Sequence, residues 1–206
     1  MFEHITIIDL KILSLYVRDY ASSYSIREMA MRLKINYSNA FKRVNGLVKN
    51  DYLIKKKKGH SNVLSLNIAN YETVKIMNSA ELLESNKIRN NTLMLLVQEA
   101  MRIDIYVCIG LFGSRVSGKA EKGSDWDIFI ITTKRKEMEK IMSKFPYANI
   151  QVQVFTSEEF WDSLVSLEET VVKHIVRNKQ IIYNPYPFYN IIRNWELTKY
   201  APSQTS

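Results

Sequence analysis

Gly113-Ser114, followed ten residues later by Asp125-Trp126-Asp127, is the part of this 206-residue chain whose residue types could do chemistry. An apolar run over residues 105–112 leads into the Gly-Ser pair, a short basic loop follows, and the two acids open a second apolar run. Gly113 has no Cβ, so a ligand can approach its backbone closely. Ser114 adds a hydroxyl and a backbone N–H at the start of a short helix, a seat for phosphate. Arg115, Lys119 and Lys122 bring positive charge for phosphate oxygens. Asp125 and Asp127 are two residues apart, so on a strand both face one way. Two carboxylates on one face repel each other unless a cation bridges them. Such hard oxygen ligands suit Mg²⁺, which takes one or two carboxylates together with substrate phosphates. Residues so placed would stabilise charge on a transferring nucleotide and orient its α-phosphate for in-line attack.

Gly113-x-x-x-x-Gly118-Lys119 comes close to a P-loop, but Ala120 stands where that motif needs Ser or Thr for Mg²⁺, and the two acids would go unexplained. The segment instead resembles the signature of the nucleotidyltransferase superfamily of DNA polymerase beta, and within it the minimal, MNT-type members. Their pattern is a hydrophobic residue, Gly-Ser, about ten residues, then Asp-hydrophobic-Asp-hydrophobic. The resemblance implies that Gly113 and Ser114 contact the nucleotide; Arg115 and Lys119 join them as nucleotide-binding candidates on their charge. It implies that Asp125 and Asp127 are the catalytic metal ligands, with Mg²⁺ as cofactor and ATP or another NTP as substrate. Active members carry a third carboxylate on a later strand. Here residues 150–155 alternate Ile-Gln-Val-Gln-Val-Phe, so the matching position holds Gln151 or Gln153. An amide cannot act as a base near neutral pH. Trp126, bulkier than the usual residue between the acids, is expected to pack into the core.

Helical and strand patterns on either side supply the frame. A helix near 92–102, capped by Asn90-Asn91, presents Leu93, Leu96, Val97 and Ala100 on one face. A helix from Glu158 to about Arg177 covers the sheet, Ile181–Tyr183 forms a last strand, and a final helix spans about 188–195. Upstream, apolar spacing predicts a helix from about Asp9 to Tyr20. Ser25-Ile26-Arg27-Glu28 is a capping box for a second helix. A third, about 38–49, is expected to bury Phe41, Val44, Leu47 and Val48. Two short strands, 52–54 and 63–66, flank a basic tip, residues 55–62.

Three helices and a basic hairpin resemble the winged helix-turn-helix of prokaryotic regulators over about residues 5–68. That resemblance implies DNA as partner of residues 1–69. Asn39, Lys42, Arg43 and Asn45 would face the bases, and Lys55, Lys56, Lys57, Lys58 and His60 the phosphates. Charge agrees: residues 1–60 carry 12 Lys/Arg against 5 Asp/Glu, whereas the rest is near balance.

The expected architecture is α+β. A winged helix (1–69) leads through a connecting helix (70–90), which also offers a homodimer interface, to a nucleotidyltransferase-type domain (91–206) with a small mixed sheet flanked by helices. One cysteine, Cys108, excludes an internal disulfide framework and reads as a small core residue. No apolar run reaches membrane-spanning length, so a cytoplasmic protein without membrane contact is expected. Two functions stay open. One is transfer of a nucleoside monophosphate from ATP or another NTP, as the resemblance implies, to an acceptor such as a partner protein. The other is a transcriptional regulator whose degenerate transferase domain binds nucleotide or a partner without catalysis.

Overall fold

The computed structural model describes residues 5–59, 61–86, 88, 90–144 and 149–199. Reciprocal caps start the first helices. The Thr6 hydroxyl accepts from the Asp9 N–H while the Asp9 carboxylate accepts from the Thr6 N–H, so α1 spans Ile7–Ser14. It opens earlier than apolar spacing suggested and closes sooner. From Leu15 to Val17 the N–H groups turn back to carbonyls three residues earlier, which tightens the chain while Tyr16, Val17 and Tyr20 stay buried. A two-residue strand β1 (Ser23–Tyr24) precedes α2 (Ile26–Leu33), which begins at the Ser25/Glu28 capping box read from the sequence. Helix α3 spans Tyr37–Lys49.

Phe41 is a correction. Ala40, Val44 and Leu47 make the buried stripe of α3, and Phe41, one position round the helix, is 47% exposed. Arg43 also lies elsewhere than on an open face. Its Nε donates to Asp9 Oδ1 at 2.8 Å and its Nη2 donates to Asp9 Oδ2, so its guanidinium ties α3 to α1. Burial alone would raise the Asp9 carboxyl, but the hydrogen bonds from Arg43 and Thr6 outweigh it and hold the carboxyl below its ordinary 3.8. A lowered carboxylate adds stability above its unfolded pKa and loses it as pH falls through the folded one. Asp9→Asn should therefore lower stability by about 1.5–3 kcal/mol at pH 7. The gap between the two proteins should hold from pH 6 down to the ordinary 3.8 and narrow only as pH falls below it towards the lower folded value, and a gap that narrows well above 3.8, or never narrows in acid, would contradict the ion pair.

Strands β2 (Leu53–Lys58) and β3 (Ser61–Leu66) are longer than expected, because the ladder continues to Lys58 opposite Ser61. All four lysines thus sit within a strand rather than at a tip. The antiparallel sheet has the order β1-β3-β2. His60 lies outside the described residues.

Helix α4 (Tyr71–Ser85) stands where a connecting helix was expected. It buries Val74, Ile76, Met77, Ala80 and Glu81 and packs against α1 on the one hand and the C-terminal elements on the other. Next come α5 (Asn91–Ile103), β4 (Cys108–Phe112), α6 (Gly113–Ser117) and β5 (Trp126–Ile131), then α7 (Arg135–Met142) and β6 (Ile150–Phe155). The single helix expected to run to Arg177 is two, α8 (Ser157–Val165) and α9 (Val171–Arg177). Ser166 accepts from the Glu168 N–H and Thr170 caps the second, so local side-chain bonds end one helix and start the next. β7 (Gln180–Tyr183) and α10 (Tyr186–Thr198) complete the chain.

The second sheet is mixed, with the order β6-β5-β4-β7. β5 and β6 are parallel; the other pairs are antiparallel. One face, with Ile109, Leu111, Ile128 and Ile130, packs on α5 and α7. The other, with Cys108, Phe129 and Ile131, joins Phe160, Ile175 and Phe188 in a core that continues into Ile12, Leu13 and Tyr16 of the front. Gly110 faces Phe129, whose ring fills the space a side chain there would need. Among the described residues no helix is long and apolar enough to cross a membrane.

Candidate active site

Strand β4 carries the chain to the sheet's end at Phe112, which lies opposite Asp127 of β5. Gly113 then turns with φ +76°, a left-handed conformation that favours glycine. A Cβ at Gly113 would fall well inside contact with Asp127 Oδ2 and Cγ, and 3.2 Å from Asp127 Cβ. The Asp127 carboxylate therefore lies directly on the bare Cα of the Gly-Ser bend. Two segments fourteen residues apart in sequence form one surface because β4 and β5 are paired neighbours.

Asp125 is one residue short of the strand, and its backbone is fixed from α6. Arg115 Nε donates to the Asp125 carbonyl at 3.1 Å, and Nη2 donates to the Ser124 carbonyl. The same guanidinium stacks over the Trp126 ring, 4.4 Å from its centroid. Trp126 is half-buried between this cation and the α5 side of the sheet, so packing accounts for its bulk. Arg115, expected against phosphate, is engaged here in clamping the loop that presents Asp125. Lys119 is exposed on that loop, its own N–H closing on the Ser114 carbonyl at 2.9 Å.

The parallel register of β5 and β6 decides between the two glutamines. Gln151 lies opposite Asp127, whereas Gln153 lies opposite Phe129, deeper in the sheet. Gln151 Nε2 donates to Asp125 Oδ2 at 2.9 Å. The place of a third carboxylate is thus filled by an amide that steadies one acid and leaves the other alone. Burial, and after it the charge of Asp125, pushes the Asp127 carboxyl above its ordinary range. A raised carboxyl beside another carboxylate is a site that a cation would relieve. Two carboxylates beside the Gly113-Ser114 bend are hard oxygen donors that fit Mg²⁺ completed by phosphate and water. Among the described residues no group of three or more His, Cys, Asp or Glu could hold a metal.

The geometry converges on an acid pair at the mouth of β5 against a glycine-serine bend. Residues 91–186 match the family described as Polymerase beta, Nucleotidyltransferase. The match covers α5 to the start of α10, so it includes every residue of this constellation. Among solved structures, the crystal structure of a toxin-antitoxin with AMP-PNP is similar over 55% of this chain and 87% of that one. Its identity is 17% and its TM-score 0.34. No curated protein matches the chain.

The matched residues 91–186 do not contain the lysines expected to face DNA. Lys55, Lys56, Lys57 and Lys58 are exposed along β2, Lys42 and Asn45 are exposed on α3, and Asn39 is half-buried. Sequence reasoning missed the Arg115 clamp and the Gln151–Asp125 bond. Neither has a local signal, since the partners are a backbone carbonyl and a neighbouring strand.

Proposed function

We propose that residues 91–186 transfer a nucleoside monophosphate from ATP or another NTP to an acceptor hydroxyl. The observation that carries this reading is the Asp127 carboxylate lying against the Cβ-less Gly113 with Asp125 beside it. Asp125 and Asp127 would hold Mg²⁺, which when bound neutralises charge on the triphosphate. The Gly113-Ser114 backbone and the Ser114 hydroxyl would seat its oxygens, and Lys119 would add a cation from the loop. Arg115 serves this reading by fixing Asp125 through its backbone. The acceptor oxygen bonds to the α-phosphorus as the bond to pyrophosphate breaks. The acceptor's proton leaves to water, because the Gln151 amide cannot take it.

The test is incubation with α-labelled ATP, Mg²⁺ and lysate. Label should pass to an acceptor, and Asp127→Asn should reduce transfer to background. Saturable ATP binding with no transfer to any acceptor would remove the catalytic reading.

A second reading is favoured by Gln151: a nucleotide-binding regulator without catalysis, in a cytoplasmic protein whose front binds duplex DNA. The order of three helices and a lysine-bearing hairpin supports a winged helix there, with Lys42, Asn45 and Lys55 to Lys58 towards DNA. Both readings share that front, and in both a partner protein, including a second copy, is a candidate acceptor or ligand.

A further inference from the structure

Between the start of α2, the outer side of α3 and the hairpin runs a groove of about 340 Å³, lined among others by Arg27, Tyr37, Phe41, Asn45, Lys55 and Asn62. Two aromatic rings line it. Tyr37 and Phe41, one helical turn apart, are 54% and 47% exposed, with ring centroids 6.1 Å apart and planes tilted by 31°. No core reason places them there, since Ala40, Val44 and Leu47 already fill the buried stripe of α3. A single exposed aromatic is ordinary. Two in tandem along one groove form a stacking platform.

Its charged lining is cationic. Arg27 and Lys55 line it and are exposed, no carboxylate lines it among the described residues, and the first 60 residues hold 12 Lys/Arg against 5 Asp/Glu. The nearby Glu28 carboxylate is occupied with the Ser25 N–H at 2.6 Å. Flat rings with flanking cations match an unpaired polynucleotide, whose bases offer free faces and whose phosphates offer charge. A duplex cannot use the rings in this way, because its bases are already stacked on one another.

We infer that this groove binds single-stranded DNA, with bases stacked on Tyr37 and Phe41 and phosphates on Arg27 and Lys55. The inference rests on the proposed DNA-binding front and sharpens it. Lys56 and Lys58, on the opposite side of β2 from Lys55, would meet duplex phosphates while the groove takes an opened strand.

Fluorescence anisotropy with labelled oligo(dT), a duplex of equal length and oligo(U) tests this on the full chain. Phe41→Ala should weaken oligo(dT) binding about fivefold to a hundredfold, the range for one lost stacking partner. Duplex affinity should stay within about twofold, since phosphate contacts dominate there. Phe41→Trp should retain the single-strand affinity, which separates stacking from a folding defect. Equal losses for both DNA forms, no loss for either, or tighter binding of oligo(U) would overturn the inference. If the wild-type protein binds duplex but not oligo(dT), the groove assignment fails and the DNA-binding front stands; if it binds neither, both fail.

Discussion

Gly113→Ala should abolish nucleotide binding and lower the melting temperature. Alanine at φ +76° is strained, by about 1–2 kcal/mol. Its methyl would also drive into the Asp127 carboxylate. The Asp127 backbone is held by β4 on one side and β6 on the other, so relief would require its side chain to rotate away from the bend. Overpacking of this kind adds about 1–3 kcal/mol. The sum corresponds to a fall of roughly 4–20 °C in a chain of this length. The binding loss has a separate cause: the methyl would push the Asp127 carboxylate, one of the two acids proposed to hold Mg²⁺, off the bend. Calorimetric titration with a non-hydrolysable ATP analogue and Mg²⁺ should find affinity reduced about a hundredfold or more, the equivalent of about 2.7 kcal/mol. Near wild-type affinity in a folded Gly113→Ala protein would show that nucleotide does not rest on this bend. The control is Gly118→Ala, which shares φ +76° but has nothing near its would-be Cβ. It should show the strain without the loss of binding.

Lys179→Ala should destabilise the whole chain by about 3–5 kcal/mol, the usual penalty for orphaning one member of a buried pair. Lys179 and Glu81 are both fully buried and in contact. The ammonium also donates to the Val17 carbonyl at 2.5 Å and the Tyr189 hydroxyl at 2.9 Å, while Glu81 accepts from Tyr189 at 2.7 Å. Burial pushes the Glu81 carboxyl up and the Lys179 ammonium down, and each is opposed by the other's charge. The network joins the turn after α1, helix α4, the approach to β7 and helix α10. Removing the lysine would leave a carboxylate in the core and a bare carbonyl in the front. Replacing both members with apolar residues, Glu81→Leu with Lys179→Met, should lose much less than the two single changes combined. Chemical denaturation of the four proteins gives the coupling directly. A Lys179→Ala cost below about 1 kcal/mol, as for a surface lysine, would contradict the buried network.

Local chemistry was legible along the chain. The Ser25/Glu28 capping box, the Asn90 cap, the alternation of residues 150–155 and the bend at Gly113 all depend on residues within a few positions of one another. The expectation that strand geometry sets Asp125 and Asp127 on one side assumed both lie in one strand, whereas Asp125 falls just before β5 and is held by Arg115. What failed depended on partners far away. Phe41 was assigned to the core because periodicity cannot say which of two adjacent stripes the neighbouring elements cover. Arg43 was assigned to an open face because Asp9, its partner, is 34 residues distant. The helix break after Val165 was missed because Leu167, Glu168 and Glu169 suit a helix, and only the bonds of Ser166 and Thr170 end it.

The sequence by itself determined the strand–bend–loop–strand order, the acid pair and the basic front, because each is a matter of residue type and short spacing. Tertiary structure alone decided that Asp127 lies on Gly113, that Gln151 rather than Gln153 meets the acids, and that Glu81 and Lys179, 98 residues apart, share one buried site. Register between strands and packing between helices set those distances. Neither is written in local spacing, because each results from burying apolar faces that the chain brings together only when it folds.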